Sequence, residues 1–283
     1  MAVVALASAS ILMVGTQFWG KPAGLAPVVL AESGCSDLSL RGNYGFQIKG
    51  TIVGLGPIGG VALTIFDGGG NFTQTDNVSI NGSPIVDRPG SGTYSVKADC
   101  TGTQTLHLPG GQVVHTALVI AGNGKTVFDV VTDPHTVITS VGNRVDPADD
   151  SEDEDGSPFA CSPKTIKGSY AISTTGSIVA GGPLGAVADV GKITFDGNSG
   201  ASQTTTVSLN GAIGPPRSSL AGSYTLNPDC SGELTLTLPT PTGAILSTSR
   251  FVLVEGGNQL MLVNTGAGRA LTGVAIRQHT RRS

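Results

Sequence analysis

Along most of the chain, apolar and polar residues alternate one for one. Tyr44, Phe46 and Ile48 alternate with Gly45, Gln47 and Lys49, and Leu234, Leu236 and Leu238 alternate with Thr235 and Thr237. A period of two places successive side chains on opposite faces, so these stretches predict strands with one buried and one wet face. No stretch within either copy keeps the spacing of an amphipathic helix. Turn clusters such as GGGN, NG, CTG, PGG and GNG separate the strands at short intervals, which predicts antiparallel meander connections. About eight strands fit each half of the chain, and about eight is the number at which a small antiparallel sheet can close and remove its edges. The expected fold is all-β, with two tandem antiparallel meander β-barrels of about eight strands each. Two β-sandwiches are the alternative, but sandwiches usually need a long crossover, and none is visible.

The halves are copies of one another. FDGGGNFTQTDNVSING, from Phe66 to Gly82, returns without a gap as FDGNSGASQTTTVSLNG, from Phe195 to Gly211. RGNYGF at Arg41 parallels KGSYAI at Lys167, and SGTYSV at Ser91 parallels AGSYTL at Ala221. Landmarks repeated in one order identify a tandem duplication, with a first copy over 35–145 and a second over 161–278. Each copy has a full strand set and so is expected to carry its own core. Between them, 146–160 holds seven of the chain's 20 acidic residues and no basic one, leaving 13 acids against 16 Lys and Arg elsewhere. Such a run predicts a solvated linker; as a calcium loop it would lack its first ligand, because Ser151 stands there, and its closing Glu.

The four cysteines follow the duplication. Cys35 corresponds to Cys161 and Cys100 to Cys230, so each copy is expected to own one disulfide, Cys35–Cys100 and Cys161–Cys230. That points to an oxidising compartment, and no CxxC pair suggests zinc instead. Residues 1–31 combine an apolar run with a small-residue cut near Ala31, the pattern of a signal peptide, although no Lys or Arg precedes the run; an uncleaved N-terminal anchor is the alternative. No later run is long enough for a membrane-spanning helix. The expected location is secreted, periplasmic or at the cell surface.

The G-x-Y strand, the FDG turn and the G-[TS]-Y strand ending in D-C-[ST]-G together resemble the plan of small secreted bacterial barrels of the allene oxide cyclase and dirigent-like kind, within the wider lipocalin-like (calycin) neighbourhood. The resemblance implies barrels and carries over no catalytic residue.

Familiar chemical motifs fail on context. GLGPIG, from Gly54 to Gly59, fits the dinucleotide pattern by letter, yet a strand follows where a helix is required. GNGKT, from Gly122 to Thr126, lacks the first glycine of a phosphate loop. No GxSxG or HExxH occurs. His107, His115 and His135 lie in the first copy alone and could meet as a metal or base cluster, but Thr237 and Thr248 replace the first two in the second copy. The candidate ligand-binding residues are the duplicated aromatics Tyr44, Tyr94, Tyr170 and Tyr224, with Phe46; their rings could wall a pocket, or fill the core with their hydroxyls on the backbone. No catalytic residue, metal or cofactor is expected. Nucleic-acid binding is disfavoured by sparse basic residues, and the single Trp19 lies in the leader. The leading expectation is a non-enzymatic protein binding a small apolar ligand. A structural or adhesive surface protein and a cyclase-like barrel enzyme are the alternatives, and the oligomeric state is left open.

Overall fold

The computed structural model describes residues 34–146, 159–240 and 243–278. The expected leader, 1–31, and nearly all of the acidic linker lie outside the described residues. The first copy contains β1 (Arg41–Ile52), β2 (Gly56–Asp67), β3 (Asn71–Ile80), β4 (Ser83–Val96), β5 (Thr101–His107), β6 (Val113–Ala121), β7 (Thr126–Val131) and β8 (Thr136–Arg144). Each pairs antiparallel with the next, and β8 returns to β1, closing an eight-stranded barrel. The NG dipeptide makes the turn its chemistry predicts. Ile80 pairs with Ser83, leaving Asn81 and Gly82 as a two-residue loop at φ +48° and +77°, the left-handed pair that a type I′ hairpin needs.

The second copy contains β9 (Gly168–Ile178), β10 (Gly185–Phe195), β11 (Ala201–Leu209), β12 (Ala212–Ile213), β13 (Arg217–Ser218), β14 (Ala221–Leu226), β15 (Ser231–Thr240), β16 (Gly243–Val254), β17 (Gln259–Asn264) and β18 (Arg269–Arg277). Nine of these run in the order β12-β11-β10-β9-β18-β17-β16-β15-β14, with β13 beside β11. The sheet curls until β11 and β14 meet at the Gly200–Ser223 bridge and at the bond from Tyr224 N–H to the Ser199 carbonyl. Where the first copy has one long β4, the second has three short pieces. Pro215 and Pro216 explain the break, since neither can donate to the ladder.

One end of each unit is plugged from below. In the first copy a one-turn helix, Asp37–Ser39, leads into Leu40, which is fully buried; in the second, Ile166 takes that place and is equally buried. The disulfides Cys35–Cys100 and Cys161–Cys230 both form and staple the plug segments to the barrel ends. No helix among the described residues is long and apolar enough to cross a membrane.

The copies also share a packed face. Val61 and Leu63 of β2, together with Val145, join one apolar cluster with Val252, Val254, Met261 and Val263. Gly45 lets the units approach: a Cβ there would lie 2.6 Å from a Val254 methyl carbon and 2.7 Å from one of Val252. Polar bonds frame the face. Gln47 Nε2 donates to the Gly273 carbonyl at 2.7 Å, and Gly268 N–H donates to the Gly82 carbonyl at 2.7 Å. Residues from Gly34 onward accordingly form one compact unit.

Candidate ligand-binding site

The inward faces of β1 to β8 divide the first barrel into layers. Next to the plug the interior is filled. Tyr44, Phe66, Phe72, Tyr94, Leu118 and Val127 pack there with Leu40, and Phe66 stands edge-on to Tyr44 and Tyr94 with ring centres 5.4 and 5.1 Å apart. Two residues further along each strand, the filling stops. A cavity of about 330 Å³ opens toward the far end, bounded by Phe46, Ile48, Ala62, Val78, Leu106, Val114, Val131 and Ile138.

Its lower wall is polar. Thr64, Gln74, Asp76, Arg88, Gln104, Thr116, Asp129 and Ser140 all face the cavity. Arg88 grips Asp76 with two parallel bonds, Nε to Oδ1 and Nη2 to Oδ2, each 2.9 Å, the geometry in which guanidinium and carboxylate bind best; Asp76 is almost fully buried and Arg88 partly so. Gln74 bridges Thr64 and Asp76, accepting from the Thr64 hydroxyl at 3.1 Å and donating to Asp76 at 3.3 Å. On the opposite wall Ser140 donates to Asp129, and Gln104 Nε2 lies 3.5 Å from the second Asp129 oxygen. Asp129 has no ion-pair partner among the described residues. The buried Thr116 hydroxyl has no hydrogen-bond partner at all among them. At the mouth, His115 Nδ1 meets Asp133 Oδ1 at 2.7 Å.

Burial pushes the Asp129 pKa up to about 6, with the Ser140 and Gln104 bonds opposing the rise. A carboxyl with a folded pKa above its ordinary value holds its proton more tightly when folded, so its contribution to stability is present below about pH 4 and lost as pH rises through about 6. The loss is on the order of 3 kcal/mol. Asp129→Asn is therefore expected to match the wild type near pH 4 and to exceed it by about 2 to 3 kcal/mol near pH 8 in urea unfolding. A difference that stays constant with pH would contradict this origin.

The sequence-selected residues fall on both sides of the boundary. Phe46 lines the cavity. Tyr44 and Tyr94 lie in the filled end with their hydroxyls on backbone carbonyls: Tyr44 donates to Gly124, and Tyr94 to Leu40 at 2.8 Å. Tyr170 and Tyr224 repeat this in the second copy, donating to the Gly257 carbonyl at 2.7 Å and the Pro163 carbonyl at 3.2 Å. The four tyrosines thus act as core struts at the plugged ends. Burial pushes the Tyr44 and Tyr170 hydroxyls up to about 12. Of the three histidines, His115 reaches the cavity rim through Asp133, while His135 sits in a loop at φ +63°. Among the described residues no three His, Cys, Asp or Glu side chains converge as a metal site.

The polar wall was the feature the aromatic signal passed over. Its trace in the sequence is a polar residue at the inward position of an apolar alternation: Gln74 and Asp76 between Phe72 and Val78, and Asp129 between Val127 and Val131. The sequence matches no protein-family model and has no significant match among curated proteins.

Proposed function

We propose that the chain is a non-enzymatic binding protein, secreted, periplasmic or cell-surface, that holds a small apolar ligand in the cavity of the first barrel. The cavity carries this reading. A concave, mostly apolar chamber with a few converging polar groups is the usual form of a small-molecule site, and about 330 Å³ suits a compact ring system rather than a long chain. Two disulfides fit an oxidising compartment. A non-catalytic role is supported by the tyrosines, whose hydroxyls are engaged by backbone and held far from neutral titration. The barrel plan is the part that resembles allene oxide cyclase and dirigent-like proteins, and a plan alone brings no chemistry.

Native mass spectrometry of the full chain purified from its source tests the reading. A fraction carrying one small organic molecule per chain is expected, lost on denaturation. Bare protein that also fails to take up any apolar probe would remove it.

A further inference from the structure

We propose that the first-barrel cavity selects a compact apolar amine, seated with its ammonium against Asp129. The inference rests on the cavity being a ligand site and names the class of ligand. Three carboxylates, Asp76, Asp129 and Asp133, face the chamber against one guanidinium, Arg88. Arg88 is spent on Asp76 through both bonds, and Asp133 faces His115 at the mouth. Asp129 alone has only neutral partners, Ser140 and Gln104. A carboxylate walled into a barrel without a counter-ion is costly, and a cation delivered with the ligand removes that cost.

The neighbouring groups suit an ammonium. Thr116 pairs with Gln104 across β5 and β6, and it lies diagonal to Asp129, which pairs with Leu118 across β6 and β7. The orphaned Thr116 hydroxyl therefore shares the inward face with Asp129, one diagonal step away and not bonded to it. Together they offer an ammonium two oxygen acceptors, whereas an incoming carboxylate would meet Asp129 as a like charge. Depth agrees with this orientation. Asp129 and Thr116 stand just beyond the filled layer, while Ile52, Ile58 and Ile80 line the outer part, so a ligand enters charge first and leaves its apolar body toward the mouth.

The second copy shows that the fold does not require this arrangement. Strand register equates Gln104 with Leu234, both opposite the inward Tyr of the preceding strand. Continuing across the ladders equates Asp129 with Leu262 and Ser140 with Gly273, and Asp76 with Thr205. The second copy folds with those replacements and keeps a different inward acid, Asp189, bonded to Thr174 at 2.5 Å.

Three probes of one shape decide the matter: naphthylmethylamine, naphthylmethanol and naphthoate, titrated by fluorescence against the full chain near neutral pH. The amine is expected to bind at least about tenfold tighter than the alcohol, and the naphthoate weakest. Asp129→Asn should bring amine and alcohol within about threefold, and Thr116→Val should weaken the amine more than the alcohol. An alcohol that binds as well as the amine, or an amine preference that survives Asp129→Asn, would overturn the proposal while leaving the cavity a ligand site. Failure of all three probes would instead remove the cavity reading. If Asp129→Asn does not fold, the wild-type ranking of the three heads decides alone.

Discussion

Tyr44→Ala is expected to destabilise the protein by about 3 to 5 kcal/mol, the range for truncating a large buried aromatic. Tyr44 is fully buried, stands edge-on to Phe66 at 5.4 Å, and is one of the largest side chains in the filled end. Its loss opens a void between the plug and the barrel that rigid strands cannot collapse. It also strands the Gly124 carbonyl, which accepts the Tyr44 hydroxyl, so Tyr44→Phe alone is expected to cost about 1 kcal/mol. Tyr170→Ala should behave alike, since Tyr170 packs edge-on to Phe195 at 5.6 Å. Urea unfolding measures both. The distinguishing feature lies in binding: at temperatures where Tyr44→Ala remains folded, an apolar probe should bind as it does to the wild type. Loss of probe binding in a folded Tyr44→Ala would move the ligand site into the aromatic layer.

The second large effect is expected at the buried ion pair. Asp76 is almost wholly buried and held by two bonds from Arg88. Removing one partner leaves an uncompensated charge, so Arg88→Met should cost about 3 to 5 kcal/mol. Replacing both partners with apolar residues of similar size removes the cost along with the benefit. The double variant Arg88→Met with Asp76→Leu should therefore recover most of the loss, and Thr205 at the corresponding place shows the curled sheet of the second copy built without that acid. Additive single costs in the double variant would mean that the two side chains act independently.

Much of the fold was legible because strand chemistry is local. Alternation at Tyr44–Phe46–Ile48 and the Asn81–Gly82 hairpin each fixed an element within a few residues, and the duplication, by matching the four cysteines, fixed both long-range disulfides. The shared face between the copies was less legible, although it left a trace. Phe251–Val252–Leu253–Val254 and Leu260–Met261–Leu262–Val263 are apolar without alternation, and all eight are buried, because the barrel interior covers one side of these strands and the first copy covers the other. The broken seam of the second sheet was written in Pro215–Pro216, two residues that cannot serve as ladder donors.

The site was less visible for a different reason. Aromatic residues announce burial, and here they mark the end that is filled; the hollow part is signalled by polar residues at inward positions, Asp76 and Asp129, whose orientation depends on strand register. Whether a barrel is hollow depends on how side-chain volumes from all eight strands add up across the interior, and no single strand carries that information.

Whether the first barrel is a hollow ligand site is decided by fluorescence titration of an uncharged naphthalene-type probe against the wild type and Val131→Trp. Val131 lines the cavity beyond the filled layer, so a tryptophan there occupies the chamber without touching the plug. One probe per chain is expected to bind at micromolar affinity, about 8 kcal/mol, and at least tenfold more weakly to a Val131→Trp variant that still melts as a folded protein. No saturable binding to the wild type, or undiminished binding to a folded Val131→Trp, would contradict a hollow ligand site.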